Sequence, residues 1–146
     1  IRDRVTLDAS VWLAALSPAE RDHAECASLV SSLIERGVVL HQPGLFVIEV
    51  CATVARRTRN SALAIAAGRA TLEVPGLVVH AQDHESAAEA AEIAAACAVR
   101  GADAVYVATA RRMDATLVTL DREVRERAEL MAAVCTPGEW FGDASA

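Results

Sequence analysis

Asp8, Glu49, Asp103 and Asp121 each stand alone inside an otherwise uncharged run, covering residues 5–13, 45–52, 102–108 and 116–121. A lone carboxylate in an apolar segment costs several kcal/mol to desolvate unless a cation or hydrogen-bond donors meet it. Two carboxylates about 5 Å apart repel by roughly 3 kcal/mol at an effective dielectric near 20. Four such acids in one small chain are most simply explained by a shared divalent cation. Hard oxygen ligands favour Mg2+ or Mn2+, which keep waters and bind phosphate oxygens. An ion held this way activates water and steadies the leaving oxygen of a phosphodiester. Metal-dependent hydrolysis is therefore the chemistry to look for.

Each acid also has a plainer explanation. Asp8 and Asp121 precede stretches expected to be helical, where Asp is a common cap. Glu49 and Asp103 resist that account. Glu49 is the only charge between Arg36 and Arg56, and Asp103 is the only charge from residue 102 to 110. A helix around Glu49 reads as apolar on nearly all sides, as a buried helix does.

The elements that must position these acids alternate. Short apolar strands are expected at 5–8, 38–41, 77–80 and 116–120, with a last one at 133–135. Helices are expected at 11–16, 17–36, 44–60, 61–73, 83–100, 102–113 and 121–130. Ser17-Pro18-Ala19-Glu20 reads as a capped helix start, Gly101 as a break and Thr136-Pro137-Gly138 as a turn. Strands that are apolar throughout imply a parallel sheet covered by helices on both faces, an α/β architecture. In open sheets of this kind, ligands gather beyond the carboxyl ends of the strands. Asp8 and Asp121 fall at such ends, and Glu49 and Asp103 lie near helix starts.

At 146 residues the chain is expected to form one domain over 1–146. The aromatic share of 3% argues against aromatic base-stacking platforms. The net charge of −6 is unlike the basic footprint of most nucleic-acid binders. Against that, all 14 basic residues are Arg, which takes phosphate in a forked geometry, and several cluster. Cys26, Cys51, Cys97 and Cys135 form no C-x-x-C pair and read as small buried hydrophobes. No signal segment opens the chain and no apolar run reaches the roughly 20 residues of a bilayer span, so no membrane partner and a cytoplasmic location are expected. There is no Gly-Lys-Ser/Thr phosphate loop, and the absence of Lys discounts phosphatase and receiver sites built on a lysine.

Four stretches carry a resemblance to a known family: Leu7-Asp8-Ala9-Ser10-Val11-Trp12-Leu13, residues 43–50, the block from Gly101 to Ala110, and Leu117-Val118-Thr119-Leu120-Asp121-Arg122. In order and spacing the chain resembles PIN-domain ribonucleases, specifically VapC-type toxins of toxin–antitoxin pairs. That resemblance implies a PIN-like fold, Mg2+- or Mn2+-dependent endoribonuclease activity, a homodimer and inhibition by a cognate antitoxin. It also implies that Asp8, Glu49, Asp103 and Asp121 are the metal-site acids, with Ser10 and Thr119 beside them and Glu123 as a further acid of lower rank. Arg56 lies seven residues beyond Glu49 on the same helical face and is a candidate for RNA phosphate, as are Arg112 and Arg122. Such Arg residues also simply complement helix C-termini. A zinc pair from His80 and His84 is disfavoured, because the two straddle a strand–helix junction. Two rivals remain: a non-catalytic RNA- or protein-binding domain of the same fold, and a metal-dependent DNA or flap nuclease.

Overall fold

A computed structural model describes residues 3–144; of the domain expected over 1–146, the two residues at each end lie outside the described residues. Five strands, β1 (Arg4–Leu7), β2 (Val39–Pro43), β3 (Leu77–His80), β4 (Thr116–Val118) and β5 (Val134–Cys135), form one sheet in the order β3-β2-β1-β4-β5. Every pairing is parallel. The helices are α1 (Ala9–Leu16), α2 (His23–Glu35), α3 (Leu45–Thr58), α4 (Ser61–Leu72), α5 (His84–Cys97), α6 (Gly101–Arg112), α7 (Arg122–Ala128) and α8 (Pro137–Ala144). The α/β architecture read from the alternating pattern is borne out.

Chain order explains the shape. The path steps from β1 outward to β2 and β3, then returns to β4 on the other side of β1. Right-handed crossovers put the helices of the first excursion on one face and those of the second on the other. The return creates a topological switch between β1 and β4, where loops diverge and leave a crevice at the carboxyl edge. α6 lies across β1, β2 and β4, and its buried face, with Val107 and Ala110, meets Val5, Leu7, Leu117 and Val118 in the core.

One polar clasp fixes the approach to that crevice. Cα pairing of β1 with β2 runs only through Arg4–Val39 and Val5–Leu40. Beyond it the buried Gln42 side chain takes over: its Oε1 accepts from Leu7 N at 2.6 Å and its Nε2 donates to Leu7 O at 2.8 Å. Both backbone groups of Leu7 are thereby satisfied out of reach of water, as buried amides require.

Several element ends differ from the sequence expectation. Residues 17–22 form a turn, not a helix start: Ser17 N closes α1 on Leu13 O and Ala14 O, and α2 begins only at His23. Asn60, not Ser61, caps α4, its side chain accepting from Leu63 N. α5 ends at Cys97 with Ala98 in the left-handed region (φ 53), so Gly101 opens α6 instead of breaking a helix. Thr136 starts a helix: Thr136 Oγ1 accepts from Glu139 N and Glu139 Oε2 accepts from Thr136 N, a reciprocal cap with Pro137 at the first helical position. The helix around Glu49 is not buried on all sides, since Ile48 is 64% exposed.

Cys26, Cys97 and Cys135 are buried and Cys51 is partly so. Trp12 packs edge-on to Phe46, and Trp140 is fully buried beneath the Arg36 guanidinium. Among the described residues no single helix is long and apolar enough to cross a membrane; α5 and α6 pass such a test only as a pair bent by 114°.

Candidate active site

A cleft of about 630 Å3 opens at the switch point, and Asp8, Glu49, Asp103 and Asp121 all line it. Each arrives from a different element. Asp8 follows β1 directly and Asp121 lies three residues beyond β4, so register brings them together: Leu7 pairs with Val118, and Asp8 N donates to Val118 O at 3.0 Å. Glu49 stands in the second turn of α3, and Asp103 in the first turn of α6, where a helix N-terminus favours negative charge.

The buried Thr119 hydroxyl joins two of the acids. It donates to Asp8 Oδ2 at 2.9 Å and accepts from Asp121 N at 3.0 Å. Ser10 Oγ donates to the same Asp8 oxygen at 2.8 Å. Asp121 divides its work: Oδ1 caps α7 by accepting from Glu123 N and Val124 N, and Oδ2 faces the cleft toward Arg100. Capping and cleft duty therefore coexist on this one residue, whereas Asp8 sits at a cap position with no side-chain cap bond.

Burial pushes the Asp8 carboxyl above its usual 3.8; the Ser10 and Thr119 hydroxyls pull the other way, and the charge of Asp103 adds to the rise. Glu49 Oε1 accepts from Tyr106 Oη at 2.6 Å. Burial, followed by the Glu49 contact, holds the Tyr106 phenol well above its ordinary value, so this hydroxyl stays a donor.

The structure also shows Arg100 in the cleft, which the sequence pattern did not single out. Its Nε donates to Asp103 Oδ2 at 2.9 Å, and its Nη2 reaches Asp103 Oδ1 at 3.5 Å and Asp121 Oδ2 at 3.3 Å. The hydrogen bond to Asp103, followed by that carboxylate's charge, raises the Arg100 guanidinium above its ordinary value. Two signals were present in the sequence: Arg100 stands three residues before Asp103, and Tyr106, the only tyrosine of the chain, three after it. The first was hidden by placing a helix end at Arg100.

The remaining candidates separate. Arg56 lines the cleft with Glu49, as its helical spacing predicts, and has no ion pair among the described residues. Arg112 does not reach the cleft; it lines another cavity and pairs with Glu89 at 3.0 Å. Arg122 is tied to Glu126 at 2.6 Å and Glu123 to Arg127 at 2.7 Å, each one turn along α7, and neither lines the cleft. His80 meets His41, not His84, with Nδ1 of His41 2.9 Å from Nε2 of His80.

The donor set is all carboxylate, which fits a hard divalent ion. The need for a cation is visible in the arrangement itself, because a guanidinium bridges Asp103 and Asp121. Among the described residues no three acid, histidine or cysteine side chains converge tightly enough to hold an ion as they stand. Arg100 bridges two of the acids, and Tyr106 donates to a third.

A family profile described as PIN domain matches residues 5–130. The chain belongs to the PIN domain family. Solved structures of similar fold include FitAcB from Neisseria gonorrhoeae, at 22% identity and a TM-score of 0.71 over 92% of this chain and 98% of that one. VapC20 from Mycobacterium tuberculosis, titled a sarcin-ricin loop cleaving toxin, is 19% identical with a TM-score of 0.71 over 84% and 93% of the two chains. VapBC-1 from nontypeable Haemophilus influenzae is 12% identical with a TM-score of 0.69 over 92% and 98%. No curated protein sequence matches this chain significantly. The PIN resemblance read from the four sequence stretches is borne out.

Proposed function

We propose that this PIN domain, acting as one unit over residues 1–146, is a Mg2+- or Mn2+-dependent endoribonuclease and the toxin of a toxin–antitoxin pair. The observation that carries the reading is the meeting of four sequence-remote acids on one cleft at the sheet's switch point. A bound divalent ion would supply Lewis acidity and an activated water for attack on an RNA phosphodiester. The chain's own residues do the rest. Asp8, Glu49, Asp103 and Asp121 hold the ion directly or through water. Ser10 and Thr119 orient Asp8 through its Oδ2, leaving the carboxylate one fixed rotamer. Tyr106 fixes Glu49 in the same way. Arg56, on the cleft wall and without an ion pair among the described residues, takes a phosphate of the strand. Cleavage leaves 5′-phosphate and 3′-hydroxyl ends.

The toxin assignment is supported by the fold shared with VapC20 and by structures titled as VapBC and FitAB assemblies. A cognate antitoxin that presents arginine to the cleft suits acids that already accommodate a guanidinium. Exposed Ile48 on α3 and exposed Leu63 and Ile65 on α4 supply apolar surface for a homodimer or antitoxin contact. The cytoplasm, where RNA is met, is the proposed location.

Purified protein incubated with single-stranded RNA, structured RNA and DNA tests the proposal. RNA cleavage is expected with Mg2+ or Mn2+, and none with EDTA or after Asp8→Asn or Asp103→Asn. Cleavage that persists in both variants ends the reading. Activity on DNA alone favours a DNA or flap nuclease, and RNA binding without metal-stimulated turnover favours a non-catalytic domain.

A further inference from the structure

We infer that Arg100 is an exchangeable counter-cation of the cleft: it bridges Asp103 and Asp121 while no divalent ion is bound, releases them when one binds, and then takes an RNA phosphate. The inference rests on the nuclease reading above and assigns a substrate-binding role to a residue outside the acid set.

The oxygens that Arg100 holds are those left over from structural work. Asp121 Oδ1 caps α7 while Oδ2 goes to Arg100, and Asp8 Oδ2 is taken by two hydroxyls. Arg100 therefore sits on cleft-facing oxygens that a divalent ion would need. Its own hold is slight. The Arg100 side chain is 76% exposed, against 10% for Asp103, so ion pairs restrain it and little packing resists its rotation. Arg112 makes the contrast: it is 33% exposed and gripped by Glu85 and Glu89.

Release leaves the guanidinium in a useful place. The Arg100 backbone is the N-cap of α6, with Ala104 N donating to its carbonyl, so the Cα stays at the cleft while the side chain swings. The guanidinium would be repelled outward into the cleft by a divalent ion held among the acids. A phosphodiester strand lying there would meet Arg100 at the start of α6 and Arg56 from α3, which has no ion pair among the described residues, two cationic anchors on separate elements. Arginine suits both partners, since its fork matches carboxylate and phosphate alike.

The test compares wild type with Arg100→Ala and Arg100→Lys, with melting curves to establish that all are folded. Calorimetric titration with Mn2+ is expected to give a dissociation constant roughly fivefold lower for the alanine variant, the scale of one exposed ion pair removed from competition. At saturating Mn2+, single-stranded RNA is expected to show a KM raised about tenfold in the alanine variant, with kcat changed less and the lysine variant between. An unchanged Mn2+ affinity, or an unchanged KM, overturns the inference. If wild type itself neither binds Mn2+ nor cuts RNA, the nuclease reading falls with it. If wild type does both and the alanine variant behaves identically, only the role of Arg100 falls.

Discussion

Two concave polar surfaces sit beside the carboxyl ends of the strands, and they handle charge in opposite ways. The second, about 260 Å3, lies next to the ends of β2 and β3 and is lined by Pro43, His80, Asp83, Glu89 and Arg112. Its polar groups are answered from within. Arg112 pairs with Glu89, His80 with His41, and Asp83 forms a capping box with Ser86. The cleft between β1 and β4 gathers four lone acids and answers two of them with one exposed arginine. Asp8 is left with a carboxyl pushed upward by burial and by Asp103. Concavity and polarity are common to both; unmatched charge belongs to one. That imbalance costs folding energy that a bound cation would offset, which is why the proposed site is the first cleft.

The largest test of this contrast is catalytic. Asp8→Asn or Asp103→Asn is expected to lower Mn2+-dependent RNA cleavage on the order of 1,000-fold, the scale of losing a group that acts on the transition state. Arg112→Met should leave it within about threefold. Equal losses in a side-by-side cleavage assay would erase the distinction between the two surfaces.

Metal linkage comes next. Mg2+ at about 100 times its dissociation constant should stabilise wild type by roughly 2.7 kcal/mol. Glu89→Gln protein should respond as wild type does, and Asp8→Asn protein should not respond. Urea melts with and without Mg2+ read this directly. Thr119→Val probes the frame of the cleft: it strips a donor from Asp8 and an acceptor from Asp121 N. A loss of about 1–3 kcal/mol is expected in urea unfolding, and a neutral effect would mean the hydroxyl carries no structural load.

The smallest effect concerns the second surface. Burial, then the neighbouring charges, holds His41 and His80 below the ordinary 6.5. The unfolded chain therefore takes up protons first as pH falls. Stability present above about pH 6.5 is lost as pH drops through the folded values of the pair. His80→Gln should flatten the change in melting temperature between pH 7.5 and 5.5, while Asp121→Asn should leave that slope in place.

Much of this was legible before folding. Parallel strands buried on both faces must be apolar throughout, so 77–80 was placed correctly and 116–120 within two residues of β4. The acids stood out because each interrupts such a run. Helix ends were read less well, because the observed ends lie a few residues from the residues that signal an end in the sequence: Asp22 against Ser17, Asn60 against Ser61, Ala98 against Gly101. In one dimension Arg112 and Arg122 look equivalent to Arg56, and Glu123 looks like a further acid beside Asp121. Exposed side chains, however, choose partners by local geometry, and Glu123 and Arg122 found theirs one turn along α7.

The amino-acid order alone determined the alternating α/β layout and the identity of the lone acids, since both follow from the cost of burying charge and backbone in apolar runs. Only the tertiary structure decided that these acids share one crevice, that Arg100 bridges two of them and that Tyr106 holds a third. Those facts depend on the return of the chain to the far side of β1, a long-range step in which register, not composition, sets which side chains meet.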